Sequence, residues 1–195
     1  MDNTTSMDHV EFTDRRSLPM MALRGLTVFP GMMLTFEVER SMSIAALNMA
    51  MSDDQIIYLV PQKDIATDIP TPDDVYGVGT VCRIKQMMKQ PGSKTVRVMA
   101  EGIERGRTLA VRTDMPCFVA EVEPMPDVAE RKTARIEALI RHCCNLFDAY
   151  VTVSGNMAPE SVISVLGSTN VAFVSNFISQ HVFLRPEEKQ ELLEE

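Results

Sequence analysis

The sequence predicts an α+β fold with a β-rich first part, residues 18–124, and a small helical bundle over residues 125–195. Three observations indicate this division. Short apolar runs, several with period 2, fill the first part and are separated by turn residues. A single stretch of helical spacing interrupts them. After the prolines of "PMPDVAE" (124–130), the apolar residues recur only at helical spacing.

Seven short runs in the first part have strand character. Because turn signals separate so many short strands, we predict a twisted sheet that curls toward a barrel. Pro19 near the start of the first run favours a first or edge position for that strand. The runs are "LPMMAL" (18–23), "MLTFEVE" (33–39), "QIIYLVPQ" (55–62), "GVGTVCRIKQMMK" (77–89), "TVRVMAEG" (95–102), "GRTLAVR" (106–112) and "CFVAEVE" (117–123).

Two connections and one helix complete the β-rich part. "SMSIAALNMAM" (41–51) places Ile44, Leu47 and Met51 at helical spacing. The aspartate- and proline-rich segment 63–74 is predicted to be a loop. "QPGSK" (90–94) predicts a tight turn between two strands, which makes 77–102 a hairpin.

Four helices are predicted in the second part. "ERKTARIEALIRHCCNLFDAY" (130–150) has a strongly amphipathic pattern, and a short helix begins at Pro159 and stops at Gly167. A third helix is expected near 169–181. The fourth begins after Arg185 and has barely started at Glu195, so we expect the chain to be a fragment of a longer protein, truncated in this helix.

Composition indicates a reduced cytoplasmic protein that does not contact a membrane. Residues 1–17 are polar and acidic, lack the pattern of a signal peptide and are predicted to be a disordered tail. No apolar run approaches the roughly 18 residues that a membrane helix needs. The four cysteines form no Cys-x-x-Cys pair, which argues against a zinc site or a redox motif.

The motifs of common enzymes are missing from the sequence. Neither a glycine-rich phosphate loop nor a Gly-x-Ser-x-Gly elbow occurs, and Ser93 and Lys94 are neighbours in a predicted turn, which is poor geometry for a catalytic dyad. His142 beside Cys143 is better explained as a solvated residue next to a packed one. The aspartates of the loop 63–74 lack regular metal-ligand spacing. We therefore expect no catalytic residue, metal site or cofactor in this chain.

Methionines form the first candidate binding surface. The chain has 15 of them, including the doublets Met20-Met21, Met32-Met33 and Met87-Met88. Neighbours on a strand face opposite sides, so one member of each doublet should point away from the core. Methionine suits surfaces that adapt to many partners. Packing against another strand or the bundle is the alternative. The candidate contact residues are Phe29, Pro30, Met32, Met33, Met87 and Met88.

Within "LTVFPGMML" (26–34), Leu34 faces the core, so Met32 shares its side and Met33 is the better surface candidate. Phe29 has two interpretations at this point. Its ring either closes the end of the barrel or forms an apolar contact for a partner.

A second candidate surface is basic. Residues 83–112 hold eight basic residues and two acidic ones, a local net charge of +6 in a chain of net charge −8. These side chains either bind a polyanion, such as nucleic acid or polyphosphate, or form a solvated face. The absence of tryptophan and the acidic chain favour the solvated face. The candidate polyanion contacts are Arg83, Lys85, Lys89, Lys94 and Arg97. A third candidate, the apolar helical face after residue 124, is better explained as the bundle core.

The order of motifs resembles the N-terminal domain of Lon, the ATP-dependent protease. The similarity begins with Leu18-Pro19, Leu23-Arg24, the Val28–Gly31 turn and "RSMSIAAL" (40–47). It continues through four further motifs in the same order and extends over about residues 18–194. These motifs are "VPQKD" (60–64) with "PTPDDVYGVGTVCRI" (70–84), "VMAEGIERGR" (98–107) and "LRPEEKQELLE" (184–194).

The resemblance implies a PUA-like pseudo-barrel followed by a helical bundle. In that family the region recognises unfolded or damaged protein substrates and helps to assemble a homohexamer. ATP and magnesium would bind in an ATPase module further along the chain, and a serine–lysine proteolytic site would follow. Alternatives are a stand-alone domain of this fold that binds a small ligand or a folded partner, and a polyanion-binding module.

Overall fold

The computed structural model describes residues 15–89, 92, 94–127, 133–155 and 159–195. Within these ranges the chain forms six strands, five α-helices and a short 3₁₀ turn at Pro72–Asp74. The elements in chain order are β1 (Arg16–Leu23), β2 (Met33–Val38), α1 (Ser41–Met51), β3 (Ile56–Pro61), β4 (Val78–Lys89), β5 (Val96–Arg112), β6 (Phe118–Met125), α2 (Ala134–Ser154), α3 (Pro159–Leu166), α4 (Val171–His181) and α5 (Pro186–Glu194).

Two predictions about chain segments fall partly outside the described residues. Residues 1–14 of the predicted tail lie there, but Arg16 and Ser17 already belong to β1, so the ordered chain begins earlier than expected. The predicted turn 90–94 also lies partly outside, with Gly92 described and its neighbours Pro91 and Ser93 not.

The strands form one sheet whose order is β2-β5-β4-β3-β1-β6, and an additional pairing of β5 with β6 closes five of them into a ring. β1 runs parallel to β3, with Met20 opposite Tyr58, and α1 lies on the connection between β2 and β3. The other pairs are antiparallel. The pseudo-barrel of an α+β fold is therefore confirmed.

β5 is one strand of 17 residues where two separate strands, 95–102 and 106–112, were predicted. That prediction was wrong because Gly102 and Gly106 are sites of close approach and do not interrupt the strand. A Cβ at Gly102 would lie 2.4 Å from the Phe29 carbonyl oxygen, and one at Gly106 would lie 2.5 Å from Val122 Cγ1. The first half of β5 pairs with β2 and the second half with β6.

Apolar clusters cover both faces of the central strands. Tyr58 lies in the ring interior, where its hydroxyl donates to the Gly106 carbonyl oxygen at 2.7 Å, across the ring. The opposite face packs against α1 through Leu47 and against the inner face of β2. Met20 belongs to the first cluster and Met21 to the second, and both are buried. The expectation that one of this doublet points outward was wrong, because β1 is covered on both sides.

The Phe29-Pro30-Gly31 turn closes one end of the barrel through backbone hydrogen bonds. Met32 N donates to the Phe29 carbonyl oxygen at 3.0 Å, and Gly31 N donates to the Gly102 carbonyl oxygen at 2.9 Å. Gly31 has φ 78°, which glycine adopts without strain. The Phe29 ring is 0% exposed and packs with Val78 and Leu193.

The helices after β6 form a small bundle with its own apolar cluster. Cys144 of α2, Val165 of α3 and Val174 of α4 are buried together, and Phe147 contacts Phe177 edge to face at 6.0 Å between ring centroids. α2 begins at Ala134, where Thr133 accepts a hydrogen bond from Ile136 N.

The last helix contacts the barrel as well as the bundle. In α5, Leu193 is fully buried beside Phe29, and Gln190 Nε2 donates to the Val78 carbonyl oxygen at 3.0 Å. Lys189 Nζ donates to the Gln180 carbonyl oxygen of α4 at 3.0 Å. α5 thus joins the two parts of the chain that the sequence divides at residue 124.

We predict that Phe29→Ala lowers the free energy of unfolding by about 3–5 kcal/mol, because it leaves a cavity between the barrel and α5. Met33→Ala, at the start of β2, should change the free energy of unfolding by about 0.5 kcal/mol or less, since Met33 is 51% exposed. Urea unfolding followed by far-UV circular dichroism measures both. A Phe29→Ala loss no larger than that of Met33→Ala would contradict the closing role of Phe29.

Candidate functional site

The polar and nucleophilic groups of the described residues do not assemble into a catalytic centre. No cluster of three or more His, Cys, Asp or Glu side chains suited to a metal ion occurs among the residues that the structure describes. Cys143 is exposed, whereas burial raises the pKa of the Cys82 and Cys144 thiols. A raised pKa keeps a thiol protonated at neutral pH and therefore unreactive as a nucleophile.

The outer surface of β2, β5 and β4 brings three methionines onto one face. Met33 of β2 lies opposite Glu101 of β5, and Met88 of β4 lies opposite Arg97. Met99 of β5 lies between these two rows. Since residues directly opposite each other point to the same side of a sheet, all three methionines share this side. We call Met33, Met88 and Met99 the methionine face.

The methionine face is firmly supported from behind. Val98 and Ala100 alternate with its residues along β5 and are fully buried against α1 and β1. Leu34 and Ile84, their neighbours on β2 and β4, are buried in the same cluster. The methionine side chains are therefore the adaptable part of an otherwise rigid surface.

Ion pairs lie between the methionines. Arg97 Nη2 contacts Glu37 Oε1 at 2.8 Å, and Lys85 Nζ contacts Glu101 Oε2 at 2.6 Å. Each of these charged side chains is between 39% and 51% exposed. Pairs that are this exposed contribute little stability, so they can separate to accommodate a ligand at small cost.

The predicted contact residues divide into exposed and supporting ones. Met33 is 51% exposed, as the alternation of β2 predicts, and Met88 is 45% exposed. Met32 and Met87 are half-buried and pack against the core.

Phe29 and Pro30 do not belong to the methionine face. The structure contradicts Phe29 as an exposed contact, because the turn folds back on Gly102 and places the ring under α5. Pro30, beside it, is half-buried.

Met99 was not among the predicted contact residues. The sequence contained the signal for it, since Val96, Val98 and Ala100 define the buried side of this strand and so place Met99 on the other side. The predicted methionine contacts all belong to doublets, whereas Met99 has no methionine neighbour in the chain.

Three of the five predicted basic residues, Arg83, Lys85 and Arg97, lie on the side of the methionine face, whereas Lys89 lies opposite the buried Val96 and so points to the other side of the sheet. Lys85 and Arg97 are paired with carboxylates as described above. Arg83, Lys89 and Lys94 are exposed and form no ion pair with the carboxylates of the described residues. The polyanion and methionine candidates therefore overlap only in part.

The third candidate, the helical face after residue 124, divides between core and surface. Ile140, Phe177 and Ile178 pack against the bundle cluster, as expected of a core. Leu146 and Val153 of α2 remain exposed.

A family model described as the ATP-dependent protease La (LON) substrate-binding domain matches residues 17–195. The chain belongs to this family. The resemblance drawn from the ordered motifs is thereby confirmed, and the matched family is a substrate-binding domain rather than a catalytic one.

Related full-length proteins are much longer than this chain. It is 37% identical over 99% of its length to the Lon protease of Clostridioides difficile, of which it covers 24%. It is 40% identical over 92% of its length to the Lon protease of Desulforamulus reducens, of which it covers 22%. The chain therefore spans about a quarter of the length of these relatives.

Solved structures of Lon N-terminal domains have the same fold. The N-terminal domain of Mycobacterium avium complex Lon protease matches with a TM-score of 0.75 at 20% identity, over 92% of this chain and 90% of that one. The Lon N-terminal domain protein from Xanthomonas campestris matches with a TM-score of 0.64 at 15% identity, over the same shares. Among the described residues, no helix is long and apolar enough to cross a membrane.

Burial raises the pKa of Tyr58 to about 12 from an ordinary value of 10.0, against the weaker opposing effect of its hydrogen bond with Thr108. The neutral phenol therefore stabilises the fold fully below pH 10, and this contribution is lost as the pH rises from 10 to about 12. We expect the stability of the protein to fall across that window. Tyr58→Phe, which has no ionisable group, should lack this part of the fall, although it loses a hydrogen bond at neutral pH.

Urea midpoints of the unaltered chain and of Tyr58→Phe, measured from pH 8 to pH 12, test this prediction. The difference between the two midpoints at each pH isolates the contribution of Tyr58 from that of the other titrating groups. Parallel curves through the whole range would show that Tyr58 ionises equally in the folded and unfolded chains.

Proposed function

We propose that this chain is the non-catalytic N-terminal part of a Lon-type ATP-dependent protease, and that its methionine face holds exposed apolar segments of unfolded or damaged proteins. The observation that carries the proposal is the exposure of Met33 and Met88 on a rigid sheet, on either side of Met99. The family match to a substrate-binding domain supports a polypeptide-binding role.

The chemistry of the face suits weak binding with little sequence preference. Unfolded proteins expose apolar side chains that folded proteins bury, and methionine adapts its shape to many such groups. The exposed ion pairs of Arg97 and Lys85 offer both signs of charge to the polar groups of a ligand. Neither feature selects one side chain, which is what a protein of quality control needs.

The remaining activity belongs to the longer parent protein in this proposal. The parent would be a cytoplasmic homohexamer that hydrolyses ATP with magnesium in an ATPase module and cleaves substrates at a serine–lysine site. Neither site would lie in residues 1–195. The present chain would contribute substrate recognition and part of the contacts between subunits.

Polyanion binding is a second candidate function. The observation that favours it is the set of exposed cations Arg83, Lys89 and Lys94, which have no carboxylate partner among the described residues. The ion pairs of Lys85 and Arg97 reduce the positive charge next to them, which weakens this candidate relative to the first.

We predict that replacing Met33, Met88 and Met99 together by serine weakens binding of a heat-unfolded protein about 10-fold, because the ligand loses apolar contact area. Binding is measured by NMR titration of the labelled chain with native and heat-unfolded forms of one protein. Met115→Ser is the matched control, since Met115 is a 41% exposed methionine beyond the other end of β5. It should bind like the unaltered chain.

Two outcomes would contradict the proposal. Equal shifts with the native and the unfolded protein would indicate a site for a folded partner instead. Unchanged affinity in the triple variant would place the polypeptide elsewhere on the surface.

For the second candidate, replacing Arg83, Lys89 and Lys94 by glutamine should abolish any retention of the chain on a polyphosphate column at low salt. Binding that involves three phosphate contacts should also decline steeply as salt is added. Failure of the unaltered chain to bind at low salt would eliminate this candidate, and it would leave the methionine face untouched.

A further inference from the structure

A cleft of about 480 Å³ lies between the end of β1 and the inner side of β2, and it adjoins the methionine face at Glu37. Apolar side chains form much of its lining, among them Met21, Leu26 and Phe36. A second cleft of about 280 Å³ lies across the start of α1. Both are lined by Arg40 and Ser43, so the first turn of α1 forms the boundary between them.

The first turn of α1 presents unused hydrogen-bond donors. Ile44 N makes the first hydrogen bond of the helix, to the Arg40 carbonyl oxygen at 2.9 Å, which leaves the backbone N–H groups of residues 41–43 without an acceptor in the helix. Arg40 is the N-cap residue and makes no side-chain cap, and no acidic residue occurs in the first turn. The helix has 11 residues, and its N-terminus carries the positive end of the helix dipole with no acidic residue of its own first turn beside it.

Ser43 provides a second and independent indication of a ligand. The residue is only 8% exposed, and its hydroxyl makes no hydrogen bond with any of the described residues. The hydroxyl oxygen is not fully enclosed by the protein, so it faces the clefts and is open to a bound group. Ser43 lines both clefts, so a ligand in either of them can supply that partner.

Two guanidinium groups lie beside the same turn. Arg40 Nη2 donates to Gln62 Oε1 at 2.7 Å and has no carboxylate partner, so most of its five donors remain free. Burial, followed by the nearby Arg24 guanidinium, lowers the pKa of Arg40, and the Asp68 carboxylate opposes this effect less strongly. Arg24 is paired with Asp68 at the rim of the cleft.

From these contacts we infer that the α1 cleft binds the C-terminal carboxylate of a polypeptide whose last side chains are apolar. The carboxylate would accept hydrogen bonds from the first turn of α1 and from Arg40, and the terminal side chain would lie against Met21, Leu26 and Phe36. Guanidinium groups and helix N-termini both bind carboxylates well.

The rim explains why one carboxylate fits better than a polyanion. Glu37, Glu39 and Asp68 also line the cleft, and each already interacts with a neighbouring side chain. They would repel a phosphate group with two charges or a chain of phosphates more strongly than a single carboxylate. The inference extends the proposed function from internal apolar segments to chain ends, and it rests on that function only in taking polypeptide as the ligand.

The test uses an acetylated hexapeptide of serine, glycine and alanine that ends in leucine, as the free acid and as the C-terminal amide. Titrated into the labelled 195-residue chain, the acid should shift the backbone resonances of residues 41–43. The amide should bind about 10-fold more weakly, because it lacks the charge that strengthens these hydrogen bonds. This comparison needs no substitution in the protein.

Variants then assign the carboxylate to its partners. Arg40→Met should bring the affinity for the acid close to that for the amide, and Arg40→Lys should restore part of the difference. Arg112→Met removes an exposed arginine at the far end of β5 and should change nothing. The triple methionine variant described above should bind the acid like the unaltered chain, so failure of the methionine face and failure of the α1 cleft are distinguishable.

Three results would overturn the inference. Equal binding of the acid and the amide would exclude carboxylate recognition. Shifts confined to β2, β4 and β5 would assign the peptide to the methionine face. Inorganic phosphate that shifts residues 41–43 as strongly as the acid does would show a general anion site without selectivity for chain ends.

Discussion

The continuity of β5 is the constraint on which the rest of this structure depends. A single strand of 17 residues pairs with β2 along its first half and with β6 along its second half, while β4 follows its other edge. The second half closes the barrel, and the first half carries the methionine face. If β5 were divided into two strands at Gly102 and Gly106, these two functions of the sheet would no longer share one rigid element.

Gly102 has no side chain, so the backbone at Phe29 can approach β5 closely without interrupting the strand. The Phe29 carbonyl oxygen approaches so closely that any Cβ at this position would collide with it. The same approach fixes the Phe29-Pro30-Gly31 turn and directs the Phe29 ring toward Leu193 of α5. One glycine therefore connects the strand that bears the methionine face, the end of the barrel and the helix that joins the barrel to the bundle.

The two surfaces proposed for ligands differ in the interaction they use. The methionine face is flat and adaptable and lies over a rigid apolar layer, so it suits apolar segments without regard to sequence. The cleft at α1 is concave and contains a helix N-terminus without a side-chain cap, together with Arg40 and the hydroxyl of Ser43. Such a site selects a charge at a defined position. Both lie on the first 124 residues, apart from the helical bundle.

Local pattern was sufficient for most of the elements, with β5 the exception, and for two of the three methionines of the methionine face. Helix α1 was predicted over 41–51 and occupies Ser41–Met51, and the alternation in β2 correctly placed Met33 outward. The same rule failed for Met20 and Met21, because a period of two reports which side a residue faces and not whether that side is covered. The α1 cleft could not be predicted, because its lining comes from β1, β2 and α1, which only the tertiary structure brings together.

The sequence by itself determined the secondary structure apart from the continuity of β5, the family and the side of each strand on which a residue lies. Those properties depend on neighbours within a few positions or on ordered motifs along the chain. The tertiary structure decided which sides are exposed, how the chain passes through Gly102, and that the Phe29 ring is buried beneath α5. These outcomes depend on contacts between residues as far apart as Phe29 and Leu193, whose distance in space no local pattern records.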